Sequence, residues 1–199
     1  MSEQSAGDQI NAEKREIRAR VAAGRQAMSD TDRAAARDGF TEQLITLATA
    51  RGARSVSCYL PVGCEPDTRP FLAWARAEGI EAYLPSARED GLLDWIRDTG
   101  EGTVTGLFGI PEPVGEHLSP LIVSEVDLML VPAAAVAAGG TRLGWGRGFF
   151  DRNLGSMDQC PPVFAVVYEG EILDALPSEM HDVPVTGAVT PERIVYLDR

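Results

Sequence analysis

The stretch VDLMLVPAAAV, residues 126–136, carries one charge at its second position and is otherwise apolar. A strand with one wet face alternates apolar and polar residues, whereas a strand covered on both faces is apolar throughout. Such a run belongs at the centre of a sheet with helices on either side. The rest of the chain fits that frame. Residues 11–28 and about 31–51 read as two helices, the second with Phe40, Leu44, Ile45, Leu47 and Ala48 at helical spacing and Ser29 or Asp30 as its cap. RSVSCYLP, IEAYLP, LLDWIRD and PPVFAVVYEG read as strands, and EILDALP, HDVPVTGAVT and RIVYL complete the chain. RPFLAWARAEG reads as a helix capped by Asp67 or Thr68 and closed by Gly79. The expected fold is a three-layer α/β/α sandwich around a largely parallel or mixed sheet, with an N-terminal helical pair. A single domain over residues 11–199 is expected behind a flexible N-terminus at 1–10. GEGTVTGLFGIPEPVGEHLSP, which has no periodicity, is expected to be a long loop.

Composition excludes several functions. The formal net charge of −12 is opposite in sign to the field of a general nucleic-acid binder. No run approaches the roughly eighteen unbroken apolar residues of a membrane span. The polar start MSEQSAGDQINAEKREIR lacks a signal segment. A cytoplasmic protein is expected, with no nucleic-acid, membrane or protein partner. Cys58, Cys64 and Cys160 show no metal-ligand spacing, and His117 and His181 are too few for a dedicated zinc site. Cys58 reads as a small apolar filler, and Trp74 and Trp95 as core.

Positive charge gathers in two places: Lys14, Arg15, Arg18, Arg20 and Arg25 near the start, and Arg142, Arg147 and Arg152 within GGTRLGWGRGFFDR, residues 139–152. Lys14 is the single lysine among eighteen basic residues. In a background that uses arginine elsewhere, it marks either chance or a place for a compact ammonium. The second segment follows the buried strand, where ligands of open α/β sheets sit. Gly144, Gly146 and Gly148 let the backbone approach an anion, the start of the next helix favours negative charge, and Arg142 and Arg147 can fork onto phosphate oxygens. Asp151 can hold Mg²⁺ against those oxygens. The spacing is neither that of a P-loop nor G-x-G-x-x-G, so a flexible basic turn is the alternative.

RLGWGRGFFDR resembles the loop R-L-G-x-G-x-G-Y-Y-D-R of the 5-formyltetrahydrofolate cyclo-ligase family, also called methenyltetrahydrofolate synthetases. KREIR, CEPDT, FGIPEP, LPSEMHDVPV and VTPER match further motifs of that family in the same order. The resemblance implies ATP-dependent closure of 5-formyltetrahydrofolate to 5,10-methenyltetrahydrofolate through a phosphorylated formyl oxygen, with release of ADP and phosphate. It places Lys14 and Arg18 on the ATP phosphates, with the loop Gly144–Gly148 around them. Arg147 takes the loop's basic position, Arg142 its edge, and Trp145 lies near the nucleotide, with Phe149 alongside. Asp151 becomes the magnesium ligand. Glu65 faces the folate near its formyl or N10 end, Phe108 lies beside the pterin, and Phe150 adds wall. Lys14, Arg147 and Glu65 are the implied catalytic residues. Glu65 bracing its own turn, and one of Phe149 and Phe150 serving as core, are the plainer readings. His181–Asp182 reads as structural support, since no nucleophile elbow accompanies it.

Five positions depart from the family pattern: Phe149 and Phe150 for two tyrosines, Ala137 for an aspartate, Glu171 for a glutamine, and Trp145 for a tyrosine or arginine. They leave two alternatives to the cyclo-ligase. One is a relative acting on another formyl or amide metabolite, the other a non-catalytic nucleotide or folate binder.

Overall fold

The computed structural model describes residues 3–178 and 183–197. The chain begins with α1 (Glu3–Ala27) and α2 (Asp30–Arg51), so the first helix starts ahead of the expected residue 11. The order then runs β1 (Ser55–Ser57), α3 (Arg69–Ala77), β2 (Glu81–Ala87), β3 (Leu93–Arg97), β4 (Thr103–Thr105), β5 (Pro111–Pro113) and β6 (His117–Leu118). It continues with β7 (Leu128–Pro132), β8 (Ala135–Ala137), β9 (Arg142–Leu143), α4 (Phe149–Gly155), β10 (Val163–Val166), β11 (Ile172–Leu173), β12 (Gly187–Val189) and β13 (Ile194–Tyr196). His181 and Asp182 lie outside the described residues.

Local chemistry sets the helix ends. Ser29 is the α2 cap, its hydroxyl accepting the Asp32 N–H at 3.1 Å, and Gly52 closes the helix in the left-handed region at φ 61°. At α3 the backbone cap is Thr68, but its hydroxyl donates to the Tyr59 carbonyl at 2.5 Å; the Asp67 carboxylate receives the Arg69 N–H at 3.1 Å instead.

The main sheet has the order β13-β12-β10-β7-β1-β2-β3-β6 among the described residues. Its centre, β12 to β2, is parallel, and β13, β3 and β6 are antiparallel at the edges. The apolar run supplies β7, between β10 and β1, as its composition requires. Leu128 and Leu130 point to one core with Phe40, Leu44 and Leu47 of α2 and Phe71 and Leu72 of α3. Met129 and Val131 point to the other, with Trp95 of β3 and Leu154 of α4. Cys58 is fully buried in the first core, and burial pushes its thiol up to about 12.

The expected N-terminal helical pair is present as α1 and α2: α2 covers the main sheet, and α1 lies on a small sheet of order β11-β8-β9, with Val21 against Ala134, Ala135 and Leu143. Two expectations need correction. The glycine segment does not leave β7 directly, because the β8–β9 hairpin intervenes. The expected loop over 100–120 contains the β4–β5 ribbon and the edge strand β6. Its anchor is Glu112, whose buried carboxylate accepts the Ser86 hydroxyl at 2.9 Å and the Ala87 N–H at 3.0 Å. Gly106 is required beside it, since a Cβ there would fall 2.1 Å from that carboxyl carbon.

Leu130 has its side chain in the α2/α3 core with no exposure. Leu130→Ala is expected to lower unfolding free energy by about 2–5 kcal/mol, read as a lower urea midpoint at unchanged slope. A loss within the range of surface substitutions would contradict the central placement of β7.

Candidate active site

On α1, Lys14, Ile17, Arg18, Val21 and Arg25 recur at three- and four-residue steps, so they share one face. That face turns inward: Lys14 is 7% exposed and Arg25 2%. An ordinary inward face would be apolar. Here it carries three cations, of which Arg18 and Arg25 reach the glycine loop.

Arg18 meets the glycine loop directly, its Nε donating to the Gly144 carbonyl at 2.7 Å. Burial lowers the Arg18 guanidinium from its usual range, and the Asp151 charge opposes that shift. Gly146 and Gly148 hold φ of 96° and 68°, which disfavour any side chain. At Gly144 the constraint is contact, because a Cβ would lie 2.8 Å from Arg142 Nη1. Gly148 caps α4 without a side-chain bond, and α4 has only seven residues. The expected contribution of a helix dipole is therefore slight, and the arginines carry the positive charge.

Arg142 is buried rather than poised at the loop's edge. Its Nη2 pairs with the Asp151 carboxylate and its Nη1 donates to the Pro132 carbonyl at 3.3 Å. Among the described residues, Arg142 Nε and Trp145 Nε1 have no hydrogen-bond partner. Arg147 places its guanidinium 4.0 Å from the centre of the Phe108 ring, and Phe108 stands 6.0 Å from Phe149. Phe108 takes a left-handed backbone at φ 61° and is 54% exposed. Arg152 ties the segment down, donating to the Arg147 carbonyl and, from Nε, to the Gly91 carbonyl, each at 2.7 Å.

The opposite wall comes from the turn after β1. Glu65 Oε2 accepts the Val62 N–H at 2.9 Å, and the buried Tyr59 hydroxyl donates to the Pro66 carbonyl at 3.3 Å. Burial raises the Glu65 carboxyl above its usual range, opposed by the Val62 N–H and by the Arg25 guanidinium.

Between these walls lies a cavity of about 180 Å³. Glu65 lines one side and Gly144, Trp145, Arg147 and Gly148 the other, with Arg142, Phe149, Phe150 and Asp151 completing it. Phe149 and Phe150 also pack on the second core, Phe150 edge-on to Trp95 at 6.4 Å. Lys14, Arg18, Gly146 and Phe108 are not on the lining. Lys14 lies one helical turn before Arg18, and Phe108 stands at the rim above Arg147.

Asp151 offers one carboxylate, already paired with Arg142, and among the described residues no group of three or more His, Cys, Asp or Glu forms a metal cage. This donor set fits Mg²⁺ brought in on phosphates, with one protein carboxylate and water completing its shell.

Two contributors escape a reading of the sequence. Tyr59 carries no motif around it. Arg25 pairs with Glu171 in a buried ion pair at 2.7 Å and stacks on Trp145 and Tyr168 at 5.1 and 5.3 Å. Its signal was available, since Arg25 lies two turns beyond Arg18 on the same helical face.

Among the described residues no helix is long and apolar enough to cross a membrane. The sequence model of the 5-formyltetrahydrofolate cyclo-ligase family matches residues 10–191. The 5-formyltetrahydrofolate cyclo-ligase of Mycolicibacterium smegmatis is 39% identical over 145 residues, spanning 70% of this chain and 75% of that protein. Among solved structures, the 5,10-methenyltetrahydrofolate synthetase of Aquifex aeolicus superposes with a TM-score of 0.74 at 28% identity, over 94% of this chain and 93% of that one. The Mycoplasma pneumoniae 5,10-methenyltetrahydrofolate synthetase, at 19% identity and a TM-score of 0.72 over 90% of this chain and 99% of that one, shares the fold. With its glycine segment and its Glu65 turn facing each other across one cavity, and with the family's sequence pattern running almost end to end, this chain belongs to the 5-formyltetrahydrofolate cyclo-ligase family.

Proposed function

We propose that this protein closes 5-formyltetrahydrofolate to 5,10-methenyltetrahydrofolate at the expense of ATP, in the cavity between Glu65 and the glycine loop. The observation that carries this reading is the meeting, in one cavity, of two segments far apart in sequence: a carboxylate on a turn, and a cation-backed loop whose glycines admit an anion. A cavity of about 180 Å³ suits the reacting ends of two substrates, with the rest of each extending outward.

The chemistry asks little covalent work of the protein. The formyl oxygen attacks the γ-phosphorus of ATP, and the bond from that phosphorus to the ADP oxygen breaks. The formyl carbon is then bound to a good leaving group, N10 attacks it and loses its proton, and the carbon–oxygen bond to phosphate breaks as the ring closes. Charge neutralisation and alignment are the protein's contribution. Arg147 at the cavity wall, with Lys14 and Arg18 behind the loop, supplies positive charge for the phosphates. Gly144, Gly146 and Gly148 let the backbone N–H groups approach. Asp151 is the residue that would hold Mg²⁺, which would neutralise charge on the transferring phosphoryl group. Arg142, paired with Asp151, stands with it on the cavity wall, where its guanidinium would meet phosphate oxygens. Glu65 orients the folate near N10, while Phe108, Phe149 and Phe150 offer it apolar wall.

The direct test mixes the protein with Mg-ATP and (6S)-5-formyltetrahydrofolate and follows the near-ultraviolet absorbance of the methenyl product. An ATP-dependent rise is expected. A flat trace from protein that binds both ligands would overturn the reading.

Lys14→Ala is expected to cut kcat/KM for ATP by about 10²–10³-fold, the scale of losing one aligned charge from a phosphoryl-transfer site. Unchanged constants would remove Lys14 from the phosphate apparatus.

For Glu65 the folded state holds its proton more tightly than the unfolded chain does. Stability therefore falls as pH rises from the usual carboxylate range through the raised folded value, and the deficit persists above it. Glu65→Gln keeps an acceptor for the Val62 N–H and removes the charge. At neutral pH the variant is expected to melt higher than the parent, with the gap closing in acid, while kcat/KM for the folate falls about 10²-fold. A lower melting temperature at neutral pH together with intact turnover would return Glu65 to bracing its turn.

A further inference from the structure

Arg25 is a buried cation for which fold stability alone gives no account. Its Nε and Nη2 donate to the two carboxylate oxygens of Glu171, each at 2.7 Å, and Nη2 also donates to the Ala133 carbonyl at 2.9 Å. Nη1 has no hydrogen-bond partner among the described residues. A desolvated ion pair with an orphan donor is a poor stabiliser compared with apolar residues of the same volume. Its placement suggests another purpose. The guanidinium lies between the indole of Trp145, on the cavity wall, and the ring of Tyr168, whose N–H donates to Glu171 Oε2 at 2.8 Å. Arg25 thus joins α1, the β7–β8 connection at Ala133, the turn before β11 and the glycine loop.

We propose that Arg25 is a positioning residue for the cavity: from behind, it clamps Trp145 and with it the glycine loop, and Glu171 holds its guanidinium in place. The functional part rests on the cyclo-ligase reading. Trp145 and Glu171 then belong to one device, joined through Arg25. An indole gives the cation a face to stack on, and a carboxylate offsets the charge that stacking buries.

The variants Arg25→Met, Arg25→Lys and Glu171→Gln test this. Arg25→Met is expected to weaken ATP binding about tenfold, the scale of one desolvated cation–π contact, and Arg25→Lys to return part of that loss. Acrylamide quenching of Trp145, isolated as the difference between each protein and its Trp145→Phe counterpart, is expected to rise in Arg25→Met and in Glu171→Gln, which frees the guanidinium from its carboxylate. Lower melting temperatures with ATP affinity and Trp145 quenching at parental values would reduce Arg25 to a structural role. Should Arg25→Met not fold, parental quenching in Glu171→Gln overturns the proposal by itself. If the parent binds ATP yet forms no methenyl product, the cyclo-ligase reading fails, and ATP affinity and Trp145 quenching decide the role of Arg25.

Discussion

Burying positive charge on α1 carries a desolvation cost that an apolar stripe would avoid, and the site depends on how that cost is met. Arg25 is met by Glu171 and by two aromatic faces, Arg18 by the Gly144 carbonyl, and Arg142 on the facing strand by Asp151 and the Pro132 carbonyl. Each arrangement joins the N-terminal helix or the small sheet to the glycine loop. The loop itself can offer little rigidity, because its glycines were required for close approach and positive φ. Order is therefore imposed from outside, by cations whose geometry is fixed by burial.

The same logic explains why the fold was legible and part of the site was not. The strand β7 is visible because both faces meet apolar layers and the sequence has nowhere to place a polar residue. α2 is visible because Phe40, Leu44, Leu47 and Ala48 repeat at helical spacing. The β4–β5 ribbon is hidden because its organising contact, Glu112 to Ser86 and Ala87, spans more than twenty positions and leaves no local period. The β8–β9 hairpin is hidden because AAAVAAGG has small residues that suit helix, strand or loop equally. The glycine segment could be found from chemistry alone. Arg25 asks for a different search, since one for helical periodicity looks for apolar residues, and the stripe on α1 is written in Lys14, Arg18 and Arg25 as much as in Ile17 and Val21.

The departures from the family pattern also acquire physical content. Phe149 and Phe150 face both ways, packing on the second core and lining the cavity. Phe150 is seated on Trp95, and Phe149 lies between Phe108 and Arg152, which favours rings packed by shape over rings held by hydrogen bonds. Ala137 is buried in β8, where it pairs through its N–H with the Thr141 carbonyl at 2.8 Å. A carboxylate at that position would need a partner that the alanine does not.

The two ion pairs of the site differ in form. The pair between Arg142 and Asp151 is a buried fork whose Nε has no hydrogen-bond partner among the described residues, held by a carboxylate that itself lines the cavity. The pair between Arg25 and Glu171 has the opposite form, sealed from the cavity behind Trp145 and held by bonds to both carboxylate oxygens. One pair faces the cavity and the other stands away from it. The difference lies in where each carboxylate stands, with Asp151 on the cavity wall and Glu171 in the turn behind it.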